Sequence, residues 1–183
     1  MTSEVPGQVL LATVIERTAA CHAELQRYDK ALALYERAVK LRERISGPGH
    51  PSLGEALTAM ADVAAEKIMV GHVNDRDAED VMALYERALQ IKTRAYGREH
   101  PDVAYTLNSM ANFYAEAGVV DAAKEPGPSP KLESITLNLT AKWKELYREA
   151  LLIASDAFGY GHTAYLGIVH NVATLLTDLG EEA

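Results

Sequence analysis

Apolar positions recur along most of the chain with the period of a helix. Between Asp29 and Ile45, Ala31, Leu34, Tyr35, Ala38, Leu41 and Ile45 fall on one stripe of a 3.6-residue helix, and most other positions are charged. Gly47 follows, the residue type best suited to a left-handed cap position. A second type of helix starts at a proline, where a missing N–H costs nothing. The stretch Pro101–Gly118 places Val103, Leu107, Met110, Ala111 and Tyr114 at contact spacing, and Pro51 opens a similar stretch. Small residues at one point of these helices, Ala19, Ala61, Ala111 and Ala173, predict a close helix crossing. No alternating run bounded by turns reads as a strand. The pattern predicts an all-α fold.

The two helix types recur. LYERA occurs at Leu34–Ala38 and at Leu84–Ala88, and LYREA at Leu146–Ala150. Tyr35 precedes His50, Tyr85 precedes His100 and Tyr147 precedes His162, each by 15 residues. Each histidine sits in a similar frame: GPGHP, GREHP and GYGHT. The uninterrupted unit is about 42 residues long, so the chain is a tandem array of helical hairpins forming a single domain over residues 1–183. Its repeats run approximately 8–46, 51–97 and 101–159, with a half-repeat at 163–180.

The order of Leu107, Ala111, Tyr114 and Gly118 in one helix, and of Ala31, Tyr35 and Ala38 in the next, resembles the tetratricopeptide repeat. The longer period, with LYERAL followed by GREHPDVA, resembles its kinesin-light-chain and nephrocystin-3 type. The first repeat departs from the pattern with Gln26 in place of Gly, the second is irregular after Ala65, and the fourth has Thr163 in place of Pro. The resemblance implies a right-handed α-solenoid of about three and a half repeats, whose first helices line a concave groove for an extended peptide or a helix. It also implies a non-catalytic scaffold or adaptor. Alternatives within the same architecture are a sensor or autoinhibitory arm of a larger regulatory protein, and an assembly factor for a multiprotein complex.

Two insertions interrupt the array, one around Gly71–Asp80 and a longer one at 121–140. Pro126, Pro128 and Pro130 predict that the longer one, around Lys124–Thr140, is a loop dispensable for folding. The last helix, Ala164–Gly180, spreads Leu166, Ile168, Val169, Val172, Leu175, Leu176 and Leu179 over more than one face. A solenoid end needs a polar outer face. The expectation is a truncated gene product, a longer natural chain or self-association through this C-terminal helix.

Composition excludes several functions. A net charge of −8 argues against a nucleic-acid surface. The lone Cys21 precludes an internal disulfide and suits a cytoplasmic location. Val9–Ile15 is too short to cross a membrane. His50, His100 and His162 are spaced apart by the array, whereas metal ligands converge. No phosphate loop or nucleophile–base pair is legible, so no enzyme activity, cofactor or metal is expected.

What remains is the surface of the first-type helices. Counting from each histidine gives groove offsets at Glu55, Thr58 and Asp62, at Tyr105, Asn108 and Asn112, and at Gly167, His170, Asn171 and Thr174. Thr13, Glu16 and Arg17 are their counterparts in the first repeat. The clamp that some members of the superfamily use for acidic tails needs lysine, which is absent from these positions. The asparagines are suited to hydrogen-bonding a peptide backbone. A further offset carries an acid in every repeat, Glu24, Glu66, Glu116 and Asp178, and predicts an acidic column selecting a basic protein or peptide partner.

Overall fold

The computed structural model describes residues 6–71, 75–124 and 130–178, and the side chains of all of these except 75–76, 117–124, 130–141 and 178. Among the described residues there are seven helices and no strand: α1 (Pro6–Glu24), α2 (Tyr28–Ser46), α3 (Pro51–Val70), α4 (Asp75–Tyr96), α5 (Pro101–Lys124), α6 (Pro130–Phe158) and α7 (Thr163–Asp178). They group into two compact units, Met1–Arg98 with α1–α4 and Glu99–Ala183 with α5–α7. In the first unit each helix packs on the next in chain order; in the second, α6 packs against both α5 and α7.

The repeated Gly–His frame forms the corner between hairpins. Gly47, Gly97 and Gly159 have φ of 91°, 90° and 79°. Their amides donate to Glu43, Thr93 and Ser155 carbonyls at 3.0, 3.0 and 2.8 Å, closing the preceding helix. Three residues on, the histidine caps the next helix. His50 Nδ1 accepts from the Ser52 amide at 3.2 Å, His100 Nδ1 from the Asp102 amide at 3.2 Å, and His162 Nδ1 from the Ala164 amide at 3.1 Å. Each ring thus satisfies a donor that the first turn of a helix leaves unpaired. Pro51 and Pro101 then occupy the first helical position, and Thr163 takes the same place in α7.

Where the sequence pattern lacks a glycine, the backbone conformation stays. Gln26 holds φ of 56°, alone among the described non-glycine residues in the left-handed region. Its amide donates to the Ala23 carbonyl at 2.7 Å, and that of Arg27 donates to His22 at 2.9 Å, a pair of bonds that closes a helix through a left-handed residue.

The core follows the alanine crossings in both units. Ala19, Ala61 and Ala111 are fully buried, as are Ala38, Ala88 and Ala150 on the second-type helices. Ala173 is exposed, because among the described residues no helix covers that side of α7. Gly54 brings α3 and α4 together: a Cβ there would stand 3.0 Å from Lys92 Cγ and 3.4 Å from the Ala88 carbonyl. In α5, Val103, Leu107, Met110 and Ala111 are buried as the spacing predicts, whereas Tyr114 is only half-buried and Phe113 beside it is buried.

One expectation is corrected. The segment 121–140 is largely helix. α5 continues to Lys124 and α6 begins at Pro130, so Leu132–Thr140 forms the first turns of a 29-residue helix. Pro130 opens that helix at the position proline tolerates; Pro126, Pro128 and Ser129 lie outside the described residues. At the C-terminal helix the apolar residues do occupy more than one face: Ile168 and Leu175 are buried while Leu166 and Val169 are exposed. Leu179 lies outside the described residues.

One part-buried ion pair escaped the sequence reading. Arg42, on the core side of α2, donates from Nε to Glu16 Oε1 and from Nη2 to Glu16 Oε2, both at 2.8 Å, and to Thr13 Oγ1 at 3.0 Å. Its side chain is 11% exposed and that of Glu16 21%. Glu16 and Thr13 are therefore committed to joining α1 and α2. Glu16→Gln removes this carboxylate from the guanidinium and should cost about 2 kcal/mol of unfolding free energy by urea titration, much of it recovered when Arg42→Met is added. Gln26→Gly should raise stability by about 1 kcal/mol, because an L-residue is disfavoured in the left-handed region.

Candidate functional site

In the first unit the predicted residues gather around a tyrosine. Tyr35 on α2 is 5% exposed. Burial raises its pKa, the carboxylates of Glu16, Asp62 and Glu66 raise it further, and the Arg17 guanidinium opposes them. Arg17, Asp62 and Glu66 therefore share one electrostatic neighbourhood, with Arg17 on α1 and the two acids one turn apart on α3. Asp62 Oδ1 accepts from the Tyr85 hydroxyl at 2.8 Å. Glu66, exposed at the surface, has its carboxyl pushed above the usual range by partial desolvation and then by the Asp62 charge. This pair of like charges is suited to receiving a cation.

Other predicted positions in this unit do not join the group. Thr58 is buried and donates to the Gly54 carbonyl at 2.9 Å, so it faces the α3–α4 contact. Glu55 is exposed and accepts from the Tyr96 hydroxyl at 3.5 Å. Glu24, the last residue of α1, is exposed and is not among the charges acting on Tyr35. The acidic offset thus contributes Glu66 to this neighbourhood, joined by Asp62 from a different offset.

The second unit brings eight predicted residues onto two adjoining clefts. Tyr105, Asn108, Gly167, His170 and Asn171 line one of about 300 Å³, together with Phe158 and Ile168. Asn112, Glu116, His170, Asn171 and Thr174 line another of about 230 Å³, with Tyr147 in its wall. His170 and Asn171 are common to both. The polar groups are already ordered: Asn171 Nδ2 donates to Asn108 Oδ1 at 3.2 Å, and the Tyr147 hydroxyl donates to Asn112 Oδ1. Each amide keeps donor or acceptor capacity beyond that single bond. Asp178 ends α7, and its side chain lies outside the described residues.

Tyr147 repeats the Tyr85 arrangement. Its pKa is pushed up to about 12, by burial first and then by the Glu116 carboxylate. Asp62 and Asn112 stand at the same offset from His50 and His100, so the hydroxyl contact is part of the repeat. That offset was read only as groove-facing; its second role, as acceptor for the following tyrosine, is masked in the sequence by the insertions, which set the pair 23 residues apart in one repeat and 35 in the next.

A larger apolar cleft of about 440 Å³ lies between α2, α3 and α4, lined by Leu32, Met60, Ile68, Val81 and Leu84. It borders Gly71, next to residues outside the described set, and includes none of the predicted positions. Among the described residues no three His, Cys, Asp or Glu side chains converge as metal ligands, and no helix is long and apolar enough to cross a membrane.

Comparison with known proteins agrees with this architecture. Sequence profiles of the tetratricopeptide repeat match residues 10–67 and 74–102. A secreted RxLR effector protein, RXLR-C07 of Plasmopara halstedii, is 36% identical over 66 residues, which cover 30% of this chain and 20% of that protein. The match thus spans about one fifth of the relative's length. Among solved structures, that of BtubC (BKLC) from P. vanneervenii superposes with a TM-score of 0.52 at 16% identity, covering 96% of this chain and 67% of that one. At that identity the likeness is one of fold. The chain carries tetratricopeptide repeats, and its fold is an all-α solenoid of that type.

The raised tyrosine gives a pH signature. Folding favours the protonated Tyr147, so stability should fall as pH rises from the ordinary tyrosine value of 10.0 towards about 12, where the unfolded chain has already ionised. Tyr147→Phe should lose less stability over that interval than the parent, as read from denaturation midpoints at each pH.

Proposed function

We propose that the chain is a non-catalytic protein-interaction module of the kinesin-light-chain-like repeat type, receiving a peptide or helix of a partner protein on the polar faces of its first-type helices. Tetratricopeptide repeats mediate protein–protein interaction, and the reading here names the surface. The observation that carries it is the convergence of Asn108, Asn112, Glu116, His170, Asn171 and Thr174 on two adjoining clefts of one unit. A cleft with pre-ordered amides beside apolar walls suits an extended backbone, whose alternating donors and acceptors need partners once water is displaced.

The charge pattern narrows the partner to one bearing lysine or arginine. Asp62 and Glu66 repel each other across one helical turn, and Glu116 stands beside a buried tyrosine. A bound cation relieves that repulsion, and the protein's net charge of −8 steers a basic segment towards it. The reading places the module in the cytoplasm, where the unpaired Cys21 stays reduced.

The test is fluorescence polarisation with extended peptides differing only in Lys/Arg or Asp/Glu at alternate positions. The basic series should bind and the acidic series should not, with affinity falling as salt rises. Glu66→Lys with Glu116→Lys should weaken the basic peptide about tenfold or more with unchanged circular dichroism. Binding indifferent to salt and to both reversals would remove the charge selection. Binding that also survives Asn108→Ala with Asn171→Ala would remove the clefts as the site.

A further inference from the structure

α1 is apolar on two sides. One side, with Ala12, Ile15, Ala19 and Ala23, is buried within its own unit. The other carries Leu11, Val14, Thr18, Cys21 and Leu25 at intervals of 3, 4, 3 and 4, the heptad spacing of a coiled-coil seam. All five are exposed, with Leu11 at 51%, Val14 at 51% and Leu25 at 61%. Leu25 continues the helical turn, since its amide donates to the Cys21 carbonyl at 3.3 Å. A helix apolar on two sides belongs in an interior, yet among the described residues nothing covers this stripe.

Its flanks say what fits there. One flank, with Ile15 and His22, turns into the core of the unit. The other holds Arg17 and Glu24, one heptad apart, both exposed and neither in an ion pair among the described residues. When two such helices pair antiparallel, the same flank of each meets the other. The register that sets Thr18 against Cys21 of the second copy, and Val14 against its Leu25, brings Arg17 opposite Glu24. The two-fold axis repeats the pair, so one helix supplies both halves of two reciprocal ion pairs. Parallel pairing brings Arg17 towards His22 instead and makes neither pair.

We propose that this stripe is a homodimer seam, in which α1 packs antiparallel against α1 of a second copy with crossed Arg17–Glu24 pairs. α7 is the competing surface: it exposes Leu166, Val169 and Ala173 at similar spacing. Its flanking positions, Tyr165, His170, Val172 and Thr177, carry no acid–base pair, so it has no matching charge pattern. Two helices of this length bury less than the roughly 1,600 Å² of a standard interface, so the dimer is weak and concentration-dependent. The seam lies outside the clefts of α5–α7, while Arg17 also acts on Tyr35 beside Asp62 and Glu66.

Sedimentation velocity on the full chain tests it, from low to high micromolar concentration. The mass should rise from 19.9 kDa towards twice that value. Val14→Glu, at an exposed position, should keep the helicity and stay monomeric throughout. Arg17→Glu alone and Glu24→Arg alone should each weaken association about tenfold or more, and the double swap should restore it. A parent that is monomeric at every concentration would overturn the proposal. So would association that survives Val14→Glu, that ignores the charge swaps, or that is lost only on Leu166→Glu with Val169→Glu.

Discussion

A tyrosine hydroxyl carried into the middle of a helix pair has to find an acceptor, because an unpaired buried hydroxyl gives up its water without return. In this protein that requirement links the packing of the hairpins to their polar surface. Tyr85 donates to Asp62 and Tyr147 to Asn112, each time from a second-type helix to the same offset on the preceding first-type helix. The acceptor must sit at the rim of the core, and its neighbours one turn away, Glu66 and Glu116, are then held at the edge of the candidate binding surface. In the first repeat the matching offset is Ala20, and Tyr35 lies instead among the charges of Glu16, Asp62, Glu66 and Arg17.

Much of the fold was legible because the repeat states each rule several times. The Gly–His frame recurs, and the structure realises it as left-handed glycines followed by histidine caps. The alanine crossings were equally readable, and three of the four are fully buried. What the pattern missed were places where a residue type has two uses. Arg42 falls off the predicted apolar stripe, yet it is buried and its head pairs with Glu16. Pro130 looked like a loop residue, yet proline also opens helices. Thr58 counted as groove-facing by offset, yet its hydroxyl satisfies itself on the Gly54 carbonyl, so the side chain is free to face the core.

The candidate site was legible to a similar degree and for a related reason. Offsets from the histidines identify a helix face, and in the second unit that face does line the clefts. They do not identify which side chains spend their hydrogen bonds within the fold. Asn112, for example, serves the tyrosine and the cleft at once. The acidic offset was likewise only partly informative: Glu66 and Glu116 act on buried groups, whereas Glu24 lies at the exposed end of α1, on the flank of the second apolar stripe. That stripe shows in the heptad spacing of α1, but only burial reveals which of its two apolar sides is already covered.

Tyr85 and Tyr147 are each coupled to an acceptor on the polar face. A double-mutant cycle with Tyr85→Phe and Asp62→Ala, read from urea denaturation at neutral pH, measures this coupling directly. Hydrogen bonds to charged groups contribute about 1.5–3 kcal/mol, so the two substitutions together should destabilise the chain by at least about 1 kcal/mol less than the sum of the two single effects. Additivity within about 0.5 kcal/mol would contradict the account, because the tyrosine and the polar surface would then be energetically independent.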